Sequence, residues 1–170
     1  YEALRQAQPR ARLVLVGDGP ARKEIQQRLP EAIFAGMRHG EDLAAHYASA
    51  DLLLFPSLTE TFGNVTPEAM ASGLPVLAFD HAGAGQLIVS GENGLLVPLA
   101  DADGFVQRAV DLAEDAARRQ RLGAQACATA ATLDWRDIVG RFEAVLESVT
   151  RDTGAVLREP VVGALQNPAA

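Results

Sequence analysis

The sequence predicts a doubly wound α/β domain, with about five parallel strands in a sheet and helices on both faces. Three observations predict it. Five short apolar runs of strand length are spread along the chain. Helical periodicity returns between them. The runs lack the in-out alternation of a sheet with one wet face, so both faces should be covered.

Taken in order, residues 1–8 carry Tyr1, Leu4 and Ala7 at helical spacing and stop before Pro9. They read as the end of a helix. RLVLV at 12–16 is the first strand, closed by Gly17-Asp18-Gly19, and Pro20 suits the start of a helix that runs to about Leu29. AIFAG at 32–36 is the second strand, followed by Met37 and a helix over 41–48 with Leu43, His46 and Tyr47 on one face. LLLFP at 52–56 is the third. A loop over 57–63 then leads to a helix over about 65–72, ended by Gly73. PVLAF at 75–79 is the fourth strand, with a short helix over 86–89 and a turn at 91–94 before the fifth strand at 95–97. Three helices follow: one capped by Asp101 and reaching about Glu114, one over 118–131, and one capped by Asp134 that runs from Trp135 to about Ser148. Trp135 is expected to anchor a core, and the tail over 150–170 carries no regular pattern.

Composition narrows the partners. Net charge is -7, from 22 acidic against 15 basic residues. Nucleic acid and anionic membrane both demand a basic face, so neither is expected as the main partner. The single cysteine, Cys127, cannot close an internal disulfide and is expected to be buried and inert. A reducing compartment, hence the cytoplasm, is the simplest reading. His39, His46 and His81 have no metal-ligand spacing with one another or with Cys127, so no metal is expected. His39 reads as an exposed loop residue and His46 as packing.

Doubly wound sheets bind ligands beyond the carboxyl ends of their strands. Four loops should open there: Gly17-Asp18-Gly19, Gly36-Met37-Arg38, residues 57–64, and Asp80-His81-Ala82-Gly83. In the third, Asn64 is a good N-cap and Pro67 falls near N3, so the amides of Phe62, Gly63, Asn64 and Val65 lie free at a helix start. That is a phosphate cradle. Glu60 precedes it and Glu68 follows it. Two carboxylates beside a phosphate make sense if they accept hydrogen bonds from hydroxyls on either side, which is the layout of a nucleotide sugar. His81, at the ligand edge, is a further candidate for donor contact.

Residues 57–80, SLTETFGNVTPEAMASGLPVLAFD, resemble the core motif of the family 4 retaining glycosyltransferases, with two glutamates separated by seven residues and followed by A-M-A-x-G-x-P-V. Val16-Gly17-Asp18-Gly19-Pro20, Phe34-Ala35-Gly36, the G-x-x-G-x-L-V-P pattern at 91–98 and Asp134-Trp135 fit the same family in order, so the resemblance covers about residues 1–148. It implies the C-terminal, Rossmann-like donor domain of a two-domain GT-B enzyme (here residues 1–149). The first strand of that domain and the N-terminal acceptor domain are expected upstream of Tyr1. It also implies that Glu60 acts in catalysis and, with the Phe62 and Gly63 amides, holds the donor sugar. Asn64 and Val65 would face the diphosphate, Glu68 would hold the ribose, and the backbone of Gly36 and Met37 would lie against the base, with Gly17, Asp18 and Gly19 lining the site. No cofactor or metal is implied. The donor is a UDP- or GDP-sugar, the acceptor a glycan or lipid-linked group, and any membrane association belongs to the N-terminal domain. The resemblance further implies that the chain alone transfers nothing.

Two departures accompany the resemblance. The family's Arg and Lys that clamp the diphosphate have no counterpart here, since Arg22 and Lys23 do not match those positions. Gln86 stands where the family often has Glu. Two other classes share parts of the pattern. A dinucleotide-binding oxidoreductase domain needs a third glycine where Arg22 stands, and a non-catalytic doubly wound module of receiver type needs an acidic cluster that Asp18 and Asp80 do not form.

Overall fold

A computed structural model of the chain describes residues 1–152. The described chain divides into two units, Tyr1–Thr132 and the part from Leu133 onward. In the first unit strands and helices alternate: α1 (Glu2–Ala7), β1 (Val14–Val16), α2 (Arg22–Arg28), β2 (Ile33–Gly36), α3 (Gly40–Ala48), β3 (Leu53–Phe55), α4 (Val65–Ala71), β4 (Val76–Phe79), α5 (Ala82–Leu87), β5 (Leu95–Val97), α6 (Ala102–Glu114) and α7 (Ala116–Ala130). The second contains α8 (Trp135–Asp152). The expectations for the Trp135 side chain and for the tail beyond Asp152 lie outside the described residues.

All five strands form and every pairing is parallel, as apolar strands joined by helical crossovers require. They hydrogen-bond in two groups, β1-β2 and β3-β4-β5. The larger group is the core. Parity along its strands sorts the side chains. Leu77, Phe79, Leu95 and Val97 face Phe105, Ala109 and Leu112 of α6, with Leu4 and Leu54 at the margin. Val76 and Ala78 face Ala69 and Met70 of α4 and Ala84 and Ile88 of α5 and its end, with Tyr47 of α3 against them. Helices therefore cover both faces of β3-β4-β5, as the sequence predicts. The smaller group differs: none of residues 1–65 is buried, and Val14, Val16 and Ile33 are 45%, 41% and 50% exposed.

Asp101 caps α6 through the Gly104 amide at 2.9 Å, and Asp134 accepts from the Arg136 amide at 2.8 Å, both as expected. Several local expectations are corrected. α5 begins at Ala82, not at Gln86, because the glycines of Ala82-Gly83-Ala84-Gly85 hid a helical turn that close packing requires. α7 begins earlier than expected, at Ala116, because Asp115 caps it through the Arg118 amide at 2.8 Å. Cys127 is exposed, not buried, with its thiol 3.6 Å from the Ala71 carbonyl; the neighbouring Ala126, one position round the helix, takes the core place. α8 extends past Ser148 to Asp152. The turn at 91–94 is pinned by buried Asn93, which accepts from the Val89 amide at 2.7 Å and donates to Thr129 of α7 at 3.1 Å.

Candidate functional site

The loops after β1 and β2 are joined at the main chain: the Gly17 amide donates to the Gly36 carbonyl at 2.8 Å. Both glycines have positive φ, +122° and +74°, which lets two strand ends turn away side by side. Asp18 accepts from the Gly19 amide at 2.8 Å and pairs with Arg22 at 3.1 Å. The Arg22 guanidinium lies over the Phe34 ring, 5.7 Å from its centre. Gly17, Asp18, Gly19 and Gly36 are thus brought together, with Met37 beside them, 59% exposed.

The loops after β3 and β4 form the second assembly. Glu60 folds back on its own loop: Oε1 accepts from the Thr61 amide at 3.1 Å, and its Cγ sits where a side chain on Gly63 would go. Gly63 has φ +76°, so it supplies both the turn and the room. Among the described residues, the amides of Phe62, Gly63, Asn64 and Val65 donate to no protein group, as the sequence predicts for the helix start. Asn64 stands at the N-cap position but its side chain caps nothing; its φ and ψ of -59° and -19° are already helical, and the N2 amide of Thr66 donates instead to the Gly63 carbonyl at 3.2 Å. Pro67 at N3 leaves no orphan donor there in any case. His81 precedes α5 and is half-buried, with extended backbone.

Glu68 projects from the outer face of α4, and its Oε2 accepts from the Tyr47 hydroxyl at 3.2 Å. Burial of the phenol, the Glu68 charge beside it and that hydrogen bond push the Tyr47 pKa up to about 12. The bond ties α3, which connects the two strand groups, to the helix behind the loop of Glu60. Tyr47 was legible only as one of three apolar-face residues of α3, and nothing in the spacing of 47 and 68 signals their contact. His46, read as packing, also donates from Nδ1 to the Asp42 carbonyl, 2.7 Å away. Among the described residues no cluster of His, Cys, Asp and Glu could hold a metal ion. No helix among them is long and apolar enough to cross a membrane.

Two pairs of glycine-bearing loops at strand carboxyl ends, one of them ending in a free-amide helix start between two carboxylates, belong to a domain of the doubly wound α/β class. The family model for "Glycosyl transferases group 1" matches residues 1–115, and the chain belongs to that family. It is 39% identical over 138 residues to a GDP-mannose-dependent alpha-mannosyltransferase of Mycobacterium tuberculosis (strain CDC 1551 / Oshkosh), covering 79% of this chain and 36% of that protein. Among solved structures it resembles Anabaena Alr3699/HepE in complex with UDP, with TM-score 0.75 and 29% identity over 86% of this chain and 43% of the other. The C-terminal domain of a glycosyl transferase group 1 protein (LpcC) from Francisella tularensis shares the fold, with TM-score 0.68 and 24% identity over 76% of this chain and 72% of the other. The chain thus has the fold of a GT-B glycosyltransferase C-terminal half, and it spans about a third of the length of the mannosyltransferase it matches.

Proposed function

We propose that this chain is the donor-binding domain of a glycosyltransferase that takes a nucleoside-diphosphate sugar and passes the sugar to an acceptor with retention of anomeric configuration. The observation that carries the reading is the run of unbonded amides at Phe62–Val65 between Glu60 and Glu68, in a chain whose family transfers sugars. Amides that bond to nothing in the protein suit diphosphate oxygens. Glu60 then accepts from donor-sugar hydroxyls and acts in catalysis by steadying charge at the reacting centre, while Glu68, oriented by Tyr47, accepts from the ribose. Gly17, Asp18, Gly19, Gly36 and Met37 line the base side, and His81 reaches the donor from the loop after β4. The donor is a UDP- or GDP-sugar. A GDP-sugar is favoured by the mannosyltransferase relative and UDP by the HepE complex. No metal or other cofactor enters this reading.

Because the chain matches about a third of the mannosyltransferase's length, this reading puts the acceptor site outside these residues, and the 170 residues alone transfer nothing. Isothermal titration of the chain with UDP, GDP and NAD tests the proposal. Binding of either nucleoside diphosphate in preference to NAD is expected; preference for NAD, or indifference to all three, overturns it. Sugar transfer by the purified 170 residues would overturn the division of labour.

A further inference from the structure

We infer that Gly83 is a positioning residue for the loop that carries Glu60, acting through the Phe62 carbonyl. The inference rests on the donor-site reading for its consequence but not for its geometry. Gly83, the second residue of α5, is buried, and a Cβ built on it would overlap the Phe62 carbonyl oxygen and lie 2.8 Å from the carbonyl carbon. Both partners are main chain, so neither can rotate out of the way. Phe62 has little else to hold it: the residue is 47% exposed, and its amide bonds to no protein group among the described residues.

The consequence passes along three adjacent contacts. Phe62 seats Gly63, whose left-handed backbone leaves the space into which Glu60 folds, its Cγ 2.7 Å and its carboxyl carbon 3.0 Å from where a Gly63 side chain would begin. A displaced Phe62 carbonyl therefore moves the Glu60 carboxylate. On the other side, Ala82 enters α5 at φ +48°, a conformation that costs a non-glycine residue and persists only where surroundings impose it. The same contact sets the loop of His81 against the loop of Glu60.

Two other glycines serve as controls. Gly123 of α7 approaches the Gly73 carbonyl nearly as closely as Gly83 approaches Phe62, but at the far end of α4 from Glu60. At Gly85 an added Cβ would clash with the exposed Asp80 carboxylate alone, at 2.7 Å, which can swing aside; the Asp80 main chain lies at ordinary contact distance, 3.5 Å. The test compares Gly83→Ala, Gly123→Ala and Gly85→Ala in the 170-residue chain by amide NMR and by titration with UDP and GDP. Gly83→Ala is expected to move the cross-peaks of residues 61–65 and to weaken nucleotide binding by about tenfold or more. Gly123→Ala, with a comparable loss of melting temperature, leaves both unchanged, and so does Gly85→Ala. Unmoved cross-peaks in Gly83→Ala, or equal movement in Gly123→Ala, overturns the inference. A wild-type chain that binds neither nucleotide overturns the donor reading alone, since the cross-peaks still decide this one. Should Gly83→Ala fail to fold, the wild-type chain decides: a nuclear Overhauser contact between the Gly83 and Phe62 α-protons must be present, and its absence overturns the inference.

Discussion

The Tyr47 hydroxyl donates to Glu68 Oε2 at 3.2 Å across 21 residues of sequence. The pair links the face of α3 to the outer face of α4, and it makes a pH prediction. In the folded chain the phenol holds its proton to about pH 12, against 10.0 when free. Below pH 10 both folded and unfolded chains keep that proton, and the contribution to stability is fully present. From pH 10 to about 12 the unfolded chain releases it first, so stability falls as pH rises. Tyr47→Phe is expected to cost about 1 kcal/mol near neutral pH, the ordinary worth of one half-exposed hydrogen bond. It should also flatten the decline above pH 10, as read by urea unfolding at a series of pH values. An unchanged slope would show that Tyr47 titrates as a free phenol.

A second prediction concerns Ala100, in the turn between β5 and α6, at φ +65°. Its surroundings are exposed and no side chain depends on it, so relief of strain should appear undiluted. A left-handed alanine costs about 1–2 kcal/mol, offset by roughly 0.5–1 kcal/mol of extra unfolded-state freedom in glycine. Ala100→Gly should therefore stabilise by about 0.5–1 kcal/mol, a melting temperature rise of roughly 1–4 °C by calorimetry. A fall would mean that the turn relaxes in solution.

The strand edges give a third. The Ile33 amide donates to the Leu13 carbonyl and the Gly17 amide to Gly36, so odd-numbered residues of β1 face β2 and the main-chain groups of Val14 and Val16 face away. By the same parity the Leu53 amide donates to Pro75, and Leu54 faces away from β4. Hydrogen exchange in this chain should be fast at Val14, Val16 and Leu54 and slow at Leu15 and Phe55. Slow exchange at all five would mean that both edges are already paired.

How much of this was legible depends on range. The five strands, their parallel sense and the loops of Glu60 and Gly36 follow from local patterns: apolar runs, turn glycines and caps such as Asp101. The contacts that organise the site are long-range and carry no local mark. Nothing near Gly83 announces that Phe62 lies against it, and α5 was misplaced because glycine reads as a loop when its reason is packing. Cys127 was misjudged because a one-residue step on α7 separates it from buried Ala126. The exposure of Val14 and Val16 could not be read at all, since an apolar strand looks the same whether or not a neighbour covers it.

The last prediction separates the two carboxylates. Glu60 lies in the loop itself, bent under Gly63, whereas Glu68 stands one helical turn behind the free amides and is held by Tyr47. If Glu60 meets the sugar and Glu68 the ribose, they act on different steps. In the complete enzyme, Glu60→Ala should remove an interaction needed at the reacting centre and lower kcat by about a hundredfold or more, with nucleotide affinity nearly unchanged. Glu68→Ala should remove binding that is the same in ground and transition states, raising KM about tenfold and leaving kcat close to its original value. Steady-state kinetics with nucleoside diphosphate as a competing ligand reads both effects. The reverse split would exchange the two roles, and intact kinetics in both variants would remove the pair from the site. The outcome also bears on Tyr47: if Glu68 binds ribose, Tyr47→Phe should raise KM in the same direction as Glu68→Ala but by less, because it frees the carboxylate without deleting it.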